Sequence, residues 1–215
     1  MENYIQNLII QGEHQKLDFK FAINDARKIA RSMVAFANTE GGTLLIGIKD
    51  NGVAAGVRSE EEYYMVESAA QLYCRPEIKF NCRKWIYQGK TILEVMIPKA
   101  EKLPHLAQNE DARWMAYVRV DDENILANTI QFKVWKRKHN KSGTYLTFSP
   151  KEKILLTYLE THLNITFDQF LKMAHISKKD AENVLVNLIS LKIIQIKYSS
   201  KGINYNLNKD ISICF

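Results

Sequence analysis

The chain has 215 residues, 46% of them hydrophobic and 25% charged, enough for one generous domain or two small ones and too apolar to be disordered by default. No run approaches the ~18 apolar residues that cross a bilayer, and the N-terminus has neither a basic leader nor a small-residue cleavage site, so an intracellular, cytoplasmic protein without membrane contact is expected. The three cysteines (Cys74, Cys82, Cys214) form no Cys-x-x-Cys pair, which supports neither a disulfide framework nor a structural zinc site.

Chain order begins with "GEHQKLDFK", which reads as a strand entering a sheet. Ala26, Ile29, Ala30, Met33, Val34 and Ala37 then follow the 3-and-4 spacing of an amphipathic helix that Gly41-Gly42 ends. "TLLIGI" reads as a buried strand closed by the Asn51-Gly52 turn, with Asp50 at its end. Ser59 and Glu62 form a capping box before a second helix through Tyr63, Val66, Ala70 and Tyr73. Two alternating segments (Ile78, Phe80, Cys82; Leu93, Val95, Ile97) flank "QGK" as a hairpin, and "WMAYVRV" at 114–120 is a further strand. This mixture predicts an α+β class.

Residues 133–148, a cationic run containing Ser142-Gly143, read as a linker between a first domain (1–132) and a second (149–215). Ser149, Pro150 and Glu152 start a helix through Ile154, Leu155, Tyr158 and Leu159; a short one follows Thr166; a third starts at Ser177 and buries Ala181, Val184, Leu185, Leu188 and Ile189. "IIQIKYSSKGINYNLN" then alternates about a turn. Three short helices and a hairpin predict a winged helix-turn-helix. The net charge of +6 follows the same division, with 16 Lys and Arg against 18 Asp and Glu up to residue 132, and 14 against 6 beyond it. Clustered cations of this kind are what phosphate neutralisation needs, although a solvated lysine surface gives the same count.

Among residues that carry chemistry, the "GKT" at Gly89–Thr91 is not a phosphate loop, because Lys84 stands where the pattern needs glycine and the triplet lies between strands. Gly41-Gly42 follows a helix and precedes a strand, the reverse of a dinucleotide-binding turn. Glu13, Asp18 and Asp50 lie on segments that can converge at one sheet edge, where three carboxylates would hold Mg²⁺ or Mn²⁺ for phosphodiester cleavage. An ordinary Asp18–Lys20 ion pair on one strand face is the plainer reading. The third C-terminal helix offers Lys178, Lys179, Asn183 and Asn187, lysines for phosphates and asparagines for adenine edges, and the hairpin adds Lys197, Tyr198 and Lys201 as a wing. Glu182 and Val186 interrupt that polar face, which keeps a protein-docking module as an alternative.

"GEHQKLDFK", "IARSMVAFANTEGGTLLIGIKDNGVAAGV" and "AYVRVDDENILAN" together resemble the Schlafen AlbA-like domain, also labelled divergent AAA-4, over about residues 5 to 130. The resemblance implies an AlbA-like mixed sheet with helices, nucleic-acid binding and, in bacterial members, transcription regulation, often with a C-terminal winged helix. It implies phosphate contact for Arg119 and Lys20. It also implies a ribonuclease alternative in which Glu13, Asp18 and Asp50 match a carboxylate trio, with Asp18 shorter than the usual Glu and a dimer needed to complete the site. The ATP in the family label has no phosphate loop to support it here. The expectation is therefore a DNA-binding homodimer, RNA being the other candidate partner. No cofactor is expected beyond Mg²⁺ or Mn²⁺ under the nuclease alternative, and a ligand-sensing N-terminal domain is the third reading.

Overall fold

A computed structural model describes residues 2–138, 149–199 and 202–208, and the chain divides into two compact units, Met1–Ala127 and Asn128–Phe215. The charge division falls at the same place, since residues 128–132 carry no charge.

The N-terminal unit runs α1 (Glu2–Gln11), β1 (Leu17–Lys20), α2 (Ala26–Asn38), β2 (Gly42–Ile46), α3 (Glu61–Leu72), β3 (Cys74–Arg75), β4 (Asn81–Tyr87), β5 (Lys90–Ile97), β6 (Leu106–Gln108), β7 (Trp114–Met115), β8 (Tyr117–Val120) and β9 (Glu123–Leu126). Its main sheet has the order β1-β2-β5-β4, with β1 and β2 parallel and the other pairs antiparallel. Parallel neighbours need a crossover, which α2 supplies. Leu44, Ile46, Leu93, Val95 and Ile97 face the helices α2 and α3, whereas Leu45 and Ile92 face the opposite way. Burial on both faces is why "TLLI" is continuously apolar instead of alternating.

The opposite face is covered by α1, an element the sequence reading missed. Its buried Ile5 packs with Leu17, Phe19, Leu45, Ile48 and Ile92, a burial worth about 2 kcal/mol. Tyr4 Oη and Trp85 Nε1 donate to the buried Glu94 carboxylate at 2.5 and 2.8 Å, which explains an acid inside "TILEVMI". Glu94 and burial push the Tyr4 hydroxyl up to about 12.

The paired glycines make the α2–β2 corner. Gly41 has φ +76°, and a Cβ there would lie 2.8 Å from the Ile97 carbonyl; a Cβ on Gly42 would lie 2.4 Å from the Phe36 ring. Only glycine allows both the turn and the approach. The hairpin loop is Gln88-Gly89, both at positive φ, as a tight two-residue connection requires.

The C-terminal unit contains α4 (Thr129–Lys138), α5 (Pro150–Thr161), α6 (Phe167–Ala174), α7 (Lys178–Ser190), β10 (Ile194–Ser199) and β11 (Gly202–Leu207). Ser149 and Glu152 form the expected capping box, and Thr166 with Gln169 forms a second. Leu155, Phe170, Leu185, Leu188, Ile194 and Tyr205 share one core. Ile165 bridges Tyr205, adding a single pairing to the β10–β11 ladder. The expected linker needs correction: residues 133–138 are the second half of α4, whose Ile130 and Val134 are buried in this core, and residues 139–148 lie outside the described ones. Lysines and arginines are good helix formers, so a cationic run alone does not signal a linker.

Candidate functional site

Asp18 lies on β1 and is 3% exposed. A carboxylate that far from water must be compensated. Its Oδ2 pairs with Lys20 Nζ at 2.8 Å and accepts from Ser32 Oγ at 3.4 Å, and its Oδ1 lies 3.5 Å from Arg119 Nη2. Lys20 Nζ also donates to the Phe19 carbonyl. Asn124 extends the network, donating to Ser32 Oγ at 2.9 Å and accepting from Arg119 Nη1 at 3.1 Å.

Arg119 sits differently from the surface phosphate contact expected of it. It is 2% exposed, its Nη2 donates to the carbonyls of His14 and Leu17, and its guanidinium lies 5.1 Å from the Phe36 ring centre. The alternating strand β8 turns Tyr117 and Arg119 to one side, and that side packs against α2. Arg119 therefore ties β8 to β1 as a structural cation.

Glu13 precedes β1 in an irregular turn, where its Oε1 accepts from Phe19 N at 2.7 Å. Burial, and then a hydrogen bond shared with Asp18, raise its carboxyl to about 6. Asp50 is exposed and, contrary to expectation, does not end a strand. The strand stops at Ile46, and Asp50 lies in the turn that the Lys49–Val53 hydrogen bond closes. Glu13, Asp18, Lys20, Arg31, Asp50 and Arg119 nonetheless line one cavity of about 400 Å³.

The carboxylate trio thus meets in one place but does not suit a metal ion as it stands. Both oxygens of Asp18 are held by cations, and among the described residues no three His, Cys, Asp or Glu side chains form a metal-holding group. Arg31 was not singled out from the sequence. It projects from α2 as an exposed cation lining this cavity and a second one of about 230 Å³ that also holds Arg27 and Lys28. Its position on the polar stripe of α2, four residues from Arg27, was the available signal.

In the C-terminal unit Lys178, Lys179 and Asn183 are exposed on the first turns of α7, as expected. Asn187 and Glu182 are engaged by α4: Arg137 donates to Asn187, and Lys133 pairs with Glu182. Val186, 5% exposed, packs in the core that Ile130 and Val134 share. The apolar residue that interrupts the polar face in sequence is therefore where α4 docks. Lys197 is exposed on the outer face of β10, beside Gln195 and across from Asn204, and Tyr198 lies on the opposite face; Lys201 lies outside the described residues.

The N-terminal unit is thus a mixed sheet with helices around a buried carboxylate–guanidinium network. Residues 13–128, more than half of the chain, match the family described as Schlafen, AlbA_2, and the chain belongs to that family. Residues 136–202 match the PCI domain. No curated protein matches the chain. Similar solved structures include the DIP2311 protein from Corynebacterium diphtheriae, at 16% identity and a TM-score of 0.45. That match covers 88% of this chain and 34% of the other, so this chain spans about a third of that protein. The N-terminal domain of a protein from Nitrosomonas europaea, described as related to the ATP-dependent DNA helicase RecG, is similar at 22% identity and a TM-score of 0.36, over 46% of this chain and 73% of that one. At these TM-scores neither neighbour bears on function. Among the described residues no helix is long and apolar enough to cross a membrane.

Proposed function

We propose that the protein is a DNA-binding regulator of transcription, working in the cytoplasm as a homodimer and held to DNA mainly by the C-terminal unit. The observation that carries this reading is charge segregation: 14 Lys and Arg against 6 Asp and Glu from residue 133 on, with Lys136, Lys178, Lys179 and Lys197 exposed. Clustered exposed cations release condensed counterions from a phosphate backbone, which gives affinity that falls steeply with salt. Membership of the Schlafen AlbA_2 family supports the nucleic-acid reading of the N-terminal unit. Within it, Lys20 is committed to Asp18, which leaves Arg31 as the better placed cation for a phosphate at the cavity mouth. Asp18 is already held by Lys20 and Arg119, which takes it out of any metal-binding trio with Glu13 and Asp50.

Fluorescence anisotropy with duplex DNA across a salt series tests the reading. Expected is a log–log slope of several units that shrinks by about one for each lysine removed in Lys178→Ala and Lys179→Ala. Affinity insensitive to both salt and these substitutions, or RNA competing far better than DNA, would refute it.

A further inference from the structure

The polar face of α7 does not stand alone. The contacts Lys133–Glu182 and Arg137–Asn187 ascend both helices together, so α4 runs parallel to α7. Lys133 is the fifth residue of α4 and Glu182 the fifth of α7, which sets their first turns level. A cavity of about 390 Å³ lined by Thr129, Ile130, Lys178 and Glu182 places the two N-terminal ends side by side. Ile130, Val134 and Val186 make the seam apolar, so it is core and not a surface touch.

Helix pairs pack with axes about 8–10 Å apart, and each helix with its side chains is about 10–12 Å across, so the pair presents a front roughly 18–22 Å wide. The major groove of B-DNA is about 12 Å wide. One helix fits; this pair does not. What the pair does carry is charge: Lys178 and Lys179 are exposed in the first turn of α7 and Lys136 is exposed about two turns along α4, while Lys133 is paired with Glu182.

We infer that the C-terminal unit lies across the duplex backbone on the joint front of α4 and α7, contacting phosphates, and does not place α7 in the major groove. The inference rests on the DNA-binding reading above and gives it a mode. Asn183, the candidate base reader, then touches no base edge, and Lys136 of α4 becomes a phosphate contact that α7 alone does not supply. Binding through this unit is therefore insensitive to sequence.

Interference mapping on the full-length chain tests this directly. Methylation at guanine N7, which fills the major groove, is expected to leave binding unchanged, whereas ethylation of phosphates inhibits it. Lys136→Ala is expected to weaken all duplexes several-fold and equally, with the salt slope reduced by about one; Asn183→Ala is expected to alter no sequence preference. N7 interference, or a motif selected from random DNA that disappears in Asn183→Ala, would overturn the inference while leaving DNA binding intact. Wild-type protein that binds no duplex at any salt would instead remove the DNA-binding reading and the inference with it. Circular dichroism of each variant keeps loss of fold apart from loss of contact.

Discussion

The two units use the same kinds of side chain in opposite ways. In the N-terminal unit Asp18, Arg119, Ser32 and Asn124 form a network turned inward, in which almost every charge is compensated by another part of the protein. In the C-terminal unit Lys178, Lys179 and Lys197 stand exposed on the surface with their charge directed at solvent. Buried ions are costly and are retained only with partners, so the first arrangement governs whether the unit folds. Exposed ions add little stability but set long-range attraction, so the second governs what the protein meets.

The strongest way to break this contrast is Arg119→Ala. It removes the cation from a carboxylate that is 3% exposed and strips the His14 and Leu17 carbonyls of a donor. Loss of one partner of a buried pair costs about 3–5 kcal/mol, and thermal and urea unfolding should show a loss of this size confined to the N-terminal unit. If the network is the cause, Asp18→Asn added to Arg119→Ala recovers part of it, a coupling that a double-mutant cycle measures. Lys136→Ala, by contrast, should leave the melting temperature within error.

A smaller effect is expected at the α4–α7 seam. Val186→Ala deletes two methyl groups from a packed core and should cost on the order of 1–2 kcal/mol in the C-terminal unit, unchanged between low and high salt. Lys133→Ala, breaking a part-exposed ion pair, should cost roughly 0.5 kcal/mol and only at low salt. A salt-independent Lys133→Ala loss larger than that of Val186→Ala would mean that charge and not packing holds α4 in place.

The seam also marks the limit of what the sequence made legible. Helices and strands with strong periodicity or caps, such as α2, β5 and α5, were readable because the signal is local. The shared cavity of Glu13, Asp18 and Asp50 was legible only as segments able to converge, because Glu13 lies in an irregular turn and Asp50 in the Lys49–Val53 turn, where strand alternation fixes nothing. The helix α1 was missed although Ile5, Leu8 and Ile9 have helical spacing, because one and a half turns of apolar residues before Gly12 is a weak pattern. The roles of Arg119 and α4 depend on partners about 100 residues and 50 residues away, and no local pattern distinguishes a cation that faces water from one that faces a distant carbonyl.

An intermediate effect on helix entry sharpens the same point. Ser149 accepts from Lys151 N, and both its backbone and its hydroxyl donate to Glu152. Ser149→Ala should cost about 1 kcal/mol in the C-terminal unit, read from urea unfolding, with no change in the N-terminal one.

A comparably small effect probes the carboxylate cavity through pH. Burial first, and the neighbouring Asp18 next, raise the Glu13 carboxyl from 4.5 to about 6, so between these values the folded chain binds more protons than the unfolded one. Stability therefore falls as pH rises from 4.5 through about 6, the reverse of the usual carboxylate contribution, and the penalty is complete above that window. Glu13 is only partly shielded from solvent, which screens the effect to less than about 1 kcal/mol. Glu13→Gln keeps an oxygen to accept from Phe19 N but cannot ionise, so it should remove this slope and be slightly more stable than wild type at pH 7 while matching it near pH 4.5. Unfolding curves at pH 4.5, 6 and 7 decide the matter. A variant less stable than wild type at pH 7 would mean that the ionised Glu13 is itself held by a cation in the cavity, which would place one more of the unit's charges in the inward network.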